Sequence, residues 1–455
     1  MSDSPEHWLG CDAGVMQTPP ADAPLNQFRL AAYETLGLRK DSLFELMEAA
    51  LTGPGPATIV RLSLAPVFRR GWSSAPDALA DGEVDADGCR RLVQRTVIEL
   101  PPGGRPVWAL DGTVWPRPAA ATSPERTYGH RTLPGIPQDG VVPAWEYEWL
   151  VEVPEPGTGW VLPLDVRRRG PGDGTPTALA IRMLRAGLAG RPAGAPRPVV
   201  ALDSGYDPVQ LARAELPVDL LVRLRSNRVF SRAPGPYRGR GAPRKYGATF
   251  KLADPATHGV SDASASLVDP RYGQVRIDAW RDLRVRGAAD VPFAVVRVQL
   301  ERLPRRLKPP APLWLAWIGD DLPADLADLW RWYTLRFTAE HGFRFLKQTL
   351  GWTTVRPRDP AAADRWTWLL ALALWQLWLA RPLVADQRLP WERPLPPARL
   401  TPGRVRRAFA GLFPQLGTPA RPPKPRGKAP GRRPGHSPGP RSRHPIVRRR
   451  PKRAA

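Results

Sequence analysis

The sequence predicts an α/β protein: a mixed sheet with helical cover, preceded by a helical domain and interrupted by a mostly β segment. Three observations carry this. Apolar residues recur at helical spacing through roughly the first hundred positions. Beyond Pro101 the pattern turns into apolar and alternating runs in the order three strands, helix, strand, helix, strand. Long helical patterns return after residue 320.

The elements follow in order. "FRLAAYETLGL" and "DSLFELMEAALTG" read as helices, with Asp41 and Ser42 as cap candidates and Gly53 as a stop; "DADGCRRLVQRTVIEL", Asp85 to Leu100, reads as another. "PVWALDGTVW" is a buried strand running into a turn. "AWEYEWLVEV" and "GWVLPLDVRR" are strands separated by the turn "PEPGTG". "PTALAIRMLRAGLAG" is an amphipathic helix stopped by Gly190, "RPVVALDSGYD" a short apolar strand, "PVQLARAEL" a helix and "VDLLVRLRSN" a strand. A Pro/Gly/Arg-rich loop from Arg228 then opens the β segment with "GQVRIDAW" and "PFAVVRVQL", followed by "PLWLAWI". Two helices and a short basic helix, "TPGRVRRAFAGLF", precede a Pro-rich tail expected not to order itself, for want of apolar surface to bury. The domain reading is therefore 1–100 helical, 101–225 first part of the core, 226–310 β-rich insertion, 311–385 second part of the core, and 386–455 a basic helix with a disordered tail.

Composition bounds the partners. The chain has 455 residues and a net charge of +24. Such a balance favours nucleic acid over an anionic membrane. Only 8 of the 67 basic residues are lysine, so GC-rich codon usage contributes part of the arginine. The 13 basic residues from Ala420 onward, with no acid among them, still leave the remainder basic. Cys11 and Cys89 lie far apart and the histidines are scattered, which argues against a zinc site and against a disulfide framework. The N-terminus lacks a basic region followed by an apolar run. The longest apolar stretch, Trp366 to Ala380, is 15 residues, short of the ~20 that span a bilayer. The expected location is cytoplasmic and nucleoid-associated, with no membrane partner.

The stretch "WYTLRFTAEHGFRFLKQTLGW", Trp332 to Trp352, carries an unusual row. At about 100° per residue, Tyr333, Arg336, Glu340, Arg344 and Lys347 fall within an arc of roughly 80°. A solvated face with an ion pair between Glu340 and Arg344 is the ordinary meaning of such a row. Two strand-end aspartates suggest another. Asp111 closes "PVWALD" and Asp203 closes "PVVALD". Alone, each reads as a turn former. Side by side, with Glu340 from a following helix, they make three carboxylates that ionise together only around a cation. Oxygen ligands suit Mg²⁺, and two metals roughly 3.5–4 Å apart suit phosphoryl transfer. The neighbouring cations would then meet phosphates.

The spacing Tyr333-x2-Arg336-x3-Glu340-x6-Lys347 resembles the "YREK" signature of bacterial insertion-sequence transposases of the DDE class. "RLRSNRVF", "FLKQTLGWT" and "DPAAADRWTWL" are similar to an actinobacterial-type subgroup of them. The resemblance covers roughly Gln27 to Arg433. It implies an RNase H-like core, a mixed five-stranded sheet flanked by helices, with a β insertion before the glutamate-bearing helix. It implies that Asp111, Asp203 and Glu340 are catalytic and bind two Mg²⁺ ions, with Mn²⁺ as a substitute. Tyr333, Arg336, Arg344 and Lys347 would bind DNA phosphates. The activity implied is hydrolysis and strand transfer at transposon ends through a hairpin, by a homodimer acting on terminal inverted repeats and target DNA. The helical N-terminus would bind those ends. The alternatives are a catalytically silent DNA-binding remnant and an RNase H-like nuclease without strand transfer.

Several residues take quieter readings. Trp280, Trp314 and Trp317 are candidates to stack on a flipped base, with core packing the preferred reading for each. Asp165 reads as an ion-pair partner of a nearby arginine, Asp207 as a helix cap, and Trp115 as packing beneath the site. The basic tail fits either non-specific DNA affinity or a compositional extension.

Overall fold

The computed structural model describes residues 22–96, 98–100, 104–131, 140–192, 194–237, 239, 241–304, 310–425, 434–435 and 439–448. Cys11 and half of the basic tail lie outside them.

Five helices come first among the described residues: α1 (Ala23–Glu34), α2 (Lys40–Thr52), α3 (Ile59–Ser63), α4 (Ser74–Asp81) and α5 (Ala86–Arg95). Gly53 closes α2 as expected. Its start differs. Arg39, in a left-handed conformation, is the cap, and Asp41 and Ser42 fall inside the first turn. Asp41 instead accepts hydrogen bonds from the Tyr33 hydroxyl and the Arg421 backbone N–H. Asp85 caps α5 by accepting from the Gly88 N–H, but the helix ends at Arg95, not Leu100. Thr96 is already extended there, in keeping with the β-branched run that follows.

The strands are β1 (Val107–Pro116), β2 (Thr127–Arg131), β3 (Gly140–Glu152), β4 (Leu162–Arg169), β5 (Val199–Leu202) and β6 (Asp219–Leu224). They are followed by β7 (Val229–Ser231), β8 (Thr249–Lys251), β9 (Ala263–Asp269), β10 (Gly273–Val285), β11 (Ala288–Leu300) and β12 (Leu313–Ile318). Helices α6 (Pro176–Ala189) and α7 (Pro208–Ala212) precede β5 and β6. Helices α8 (Ala327–Gln348), α9 (Pro360–Ala380) and α10 (Pro402–Leu416) follow β12.

Strands β4, β3, β1, β5 and β6 lie side by side in that order. β3 runs antiparallel to both β1 and β4, whereas β1, β5 and β6 are parallel. The expected five strands are thus neighbours, but they do not form a sheet of their own. β12 pairs antiparallel with β6, and β11 and β10 continue from it, so the described residues form one twelve-stranded sheet. An unpaired β6 edge would expose a row of backbone donors and acceptors, and β12 satisfies it. β2 was not expected, because "TYGHR" lacks a hydrophobic alternation. It is held by backbone pairing to the first half of β3.

Helix α8 spans two cores. Its first half buries Leu329, Trp330 and Tyr333 against Ile277, Val296 and Leu315 of the outlying strands. Its second half packs on β1 and β5. Helix α9 is buried nearly all round, against β4 on one side and α1, α2, α4 and α10 on others. Its four tryptophans fit that position. No helix among the described residues is long and apolar enough to cross a membrane. The opening helices are tied in by Arg29, which is 1% exposed: it pairs with Glu48 at 2.6 Å and donates to Gln376 of α9 at 2.9 Å.

The tail departs from expectation. Within residues 439–448, the His444 N–H donates to the Ala121 carbonyl and the Val447 N–H to that of Arg126, at 2.9 and 2.8 Å. Backbone pairing to a neighbouring segment supplies the order that a core of its own would have given.

Candidate active site

Strand β1 alternates its side chains between two faces. Asp111, Thr113 and Trp115 lie on the face crossed by α8. Trp115 packs against Trp352 just beyond that helix, at 5.4 Å between ring centroids. Leu110 pairs in parallel with Leu202. The next residues on the two strands are Asp111 and Asp203, so the sheet delivers both carboxylates side by side at one interstrand spacing, about 4.8 Å. Asp203 stands just past β5, where its Oδ1 accepts the Gly205 N–H at 2.7 Å.

Helix α8 lays its charged row over this point. Arg336, 5% exposed, donates from Nη1 to Asp111 Oδ2 at 3.0 Å. Lys347 donates from Nζ to Thr113 Oγ1 at 2.6 Å. Glu340 and Arg344 are exposed and form no ion pair with each other. Tyr333 is fully buried, and its hydroxyl has no hydrogen-bond partner. The Arg336 guanidinium lies 5.7 Å from its ring centroid. The row therefore runs from buried Tyr333 and Arg336 to exposed Glu340 and Arg344. Gly342 lets the helix come this close, since a Cβ there would stand 2.1 Å from Val161 Cγ2.

The electrostatics follow from the crowding. Burial pushes the Asp111 carboxyl up to about 6; the charges of Asp203 and Glu340 add to that rise, while Arg336 and the Gly112 N–H oppose it. Asp111 therefore feels both other acids. Burial works against the Arg336 charge, but Asp111 holds the guanidinium above its ordinary value. Burial raises the Tyr333 hydroxyl against the influence of Arg336 and Arg223.

Three carboxylates are the donor set of a hard divalent cation. As the side chains stand, no three His, Cys, Asp or Glu residues among those described close on a single ion. Asp111 is engaged by Arg336 and Glu340 extends into solvent. The donor chemistry fits a divalent cation, and convergence requires Asp111 to release Arg336 and Glu340 to swing inward.

The site contains residues the sequence reading passed over. Thr113 was legible in principle, two positions along the same strand face as Asp111. Glu148 and Tyr206 were not. Glu148 lies opposite Gly112 on β3, beneath the sheet face that carries Asp111. It is 4% exposed and accepts a 2.6 Å hydrogen bond from the Tyr206 hydroxyl. Burial pushes its carboxyl up to about 7, with Tyr206 and Arg169 opposing and the Asp111 charge adding. An alternating strand normally sends such a glutamate to water, and nothing local marks this one as buried.

The quieter readings hold. Asp165 is fully buried and pairs with Arg167 at 2.8 Å and Arg90 at 3.0 Å. Asp207 caps α7 by accepting from the Val209 and Gln210 N–H groups. Trp280, Trp314 and Trp317 are 1%, 3% and 3% exposed, each in the core.

Among curated proteins, none matches this chain. The sequence model of the family described as DDE superfamily endonuclease matches residues 32–286, which include Asp111 and Asp203 and stop short of Glu340. Enzymes of this superfamily generally use divalent metals. The match spans more than half of the chain, and on that ground the protein belongs to the DDE superfamily of endonucleases.

Proposed function

We propose that this protein is a cut-and-paste DNA transposase of the insertion-sequence type, with an RNase H-like core and a YREK helix in α8. The observation that carries the reading is the parallel pairing of Leu110 with Leu202, which brings Asp111 and Asp203 out together beneath the helix of Glu340. The strand order β4-β3-β1-β5-β6 supports the core assignment.

In this reading Asp111, Asp203 and Glu340 hold a pair of Mg²⁺ ions, or Mn²⁺ in their place. When bound, the ions supply activation of the attacking hydroxyl and stabilisation of the leaving oxygen. The chain does the rest. Lys347 and Arg344, on the open side of α8, hold phosphates flanking the cut. Arg336 neutralises Asp111 until metal and DNA arrive, then turns its guanidinium to a phosphate. Tyr333, whose hydroxyl is buried beside that guanidinium, sets the direction of its swing. In the first step water oxygen bonds to phosphorus and the 3′ oxygen leaves as a hydroxyl. In the second that 3′ hydroxyl oxygen bonds to a target phosphorus, and the target strand's 3′ oxygen leaves as a hydroxyl. A hairpin on the element end, a dimer bridging two terminal inverted repeats, and end binding by α1 to α5 complete the reading. The location proposed is cytoplasmic, on the nucleoid.

The test is a supercoiled plasmid carrying the element ends, incubated with Mg²⁺ and either the wild type or Glu340→Ala. Excision by the wild type alone supports the reading. Cutting without joining would make the protein a nuclease, and binding of the ends without cleavage would make it a DNA-binding remnant.

A further inference from the structure

Next to the carboxylates lies a cleft of which the reaction just described uses only Lys347. It measures about 620 Å³ and is formed by the end of β1, the turn after it, and residues 347–356. Its charged lining is Arg117, Lys347 and Arg356, with no acid. Such a set is unusual in a protein whose arginines are widely paired.

Arg117 is the most telling member. It is 6% exposed, and its Nε has no hydrogen-bond partner. Its Nη2 is anchored by Ser123 Oγ at 2.8 Å and the Pro357 carbonyl at 2.5 Å. Its guanidinium lies 4.6 Å from the Trp145 ring centroid. Burial first, with the charges of Arg356 and Arg126 adding to it, lowers its basicity to about 10. A buried cation facing other cations is the arrangement an anion relieves.

Position identifies the anion. Lys347 reaches Thr113, two residues from Asp111 on the same strand face. Glu340 and Lys347 are seven helical residues apart, about 10 Å. Asp111 and Arg117 are six strand residues apart, about 20 Å. At 3.4 Å per nucleotide along one strand of a duplex, those spans correspond to roughly three and six nucleotides. Val114, Trp115 and Pro116 give the cleft an apolar wall that suits sugar and base.

We propose that this cleft is a track for one DNA strand running away from the cleavage point, with Arg117 and Arg356 binding phosphates of that strand beyond the one at Lys347. The inference rests on the transposase reading and adds two phosphate contacts outside the α8 row. The tail segment that pairs with residues 121–127 lies just past the wall residue Ala120. It brings Arg441 into a neighbouring pocket that Arg356 also lines.

The probe is a fluorescein-labelled single-stranded 20-mer, titrated by anisotropy into the full chain in EDTA at several salt concentrations. Each phosphate contact contributes about 0.7 to the slope of log affinity against log salt. Arg356 is exposed, so Arg356→Ala should melt like the wild type while losing about 0.7 of slope. Arg117→Gln, with its fold checked by its melting temperature, should lose a similar amount. Arg182→Ala, on α6 away from the cleft, should change nothing. An unchanged slope in Arg356→Ala would overturn the track and leave the transposase reading standing. A wild type that binds no DNA would overturn both.

Discussion

Tyr206→Phe removes one oxygen and keeps the ring. That oxygen donates a 2.6 Å hydrogen bond to Glu148 Oε2, and both residues are at most 4% exposed. No water reaches the carboxylate to replace it. A hydrogen bond to a buried charged group contributes about 1.5–3 kcal/mol, and one to a neutral group about 1 kcal/mol. The Glu148 carboxyl is pushed up to about 7, so it is charged at pH 8 and protonated at pH 5.5. The bond lowers that value, and its loss raises it further. The cost should therefore be about 2 kcal/mol at pH 8 and about 1 kcal/mol at pH 5.5, read from urea unfolding. In a double-mutant cycle with Glu148→Gln, a coupling near 1 kcal/mol or more at pH 8 is expected. Tyr206 follows Asp203 by three residues, so the same bond pins the turn that presents the carboxylate proposed to be catalytic. A fall in kcat for cleavage, up to about 100-fold with little change in KM, is the functional counterpart. Equal costs at both pH values together with zero coupling would refute the reasoning.

The remaining predictions concern the packing that supports the site. Gly342→Ala should push α8 away from Val161, destabilise the chain by about 1–3 kcal/mol and reduce cleavage by displacing Glu340, two residues earlier; unaltered kinetics in a folded variant would contradict the close approach. Burial pushes the Glu152 carboxyl up to about 7 from its ordinary value, while Trp108 and Arg191 oppose the rise. Between the unfolded and folded values the native state keeps a proton that the unfolded chain has released, so stability falls as pH rises through that window. The loss is about 3 kcal/mol at most, and the difference between wild type and Glu152→Gln across pH 5 to 8 should show it. Arg29→Met leaves Glu48 buried without its partner and should cost about 3 kcal/mol near neutral pH, with part of the loss restored by adding Glu48→Gln; denaturant midpoints of the single and double variants decide it.

The site was legible where side-chain type and period coincide. "PVWALD" and "PVVALD" read as buried strands closing on an acid; β5 does end before Asp203, whereas β1 runs on past Asp111 to Pro116 because β3 keeps pairing with it. The α8 row followed from the helical angle alone. What escaped the sequence was set by backbone pairing, which leaves little residue signature. β2 exists because β3 is long enough to hold it, and residues 439–448 are placed by bonds to the main chain near Thr127. The docking of β12 on β6 decided whether the inserted strands stand apart or join the sheet, and no residue in "PLWLAWI" announces that choice. Burial of charge was equally hidden. Arg29, Glu148 and Arg117 sit in stretches where solvent exposure is the default reading. The family resemblance implied that Tyr333, Arg336, Arg344 and Lys347 would all bind DNA phosphates. Burial of Tyr333 and Arg336 divides them, because the first half of the helix is committed to covering the outlying strands.

That commitment has a mechanical result. From the strand of Asp111 outward, the ladder runs through β5, β6 and β12 to β11 and β10 without a break, and α8 is bolted across both ends of it. Among the described residues the outlying strands join the strand of Asp111 through paired neighbours at every step. If DNA binds as proposed, a strand pulled against the far edge would act on the carboxylates through that ladder of backbone hydrogen bonds, as a change in alignment.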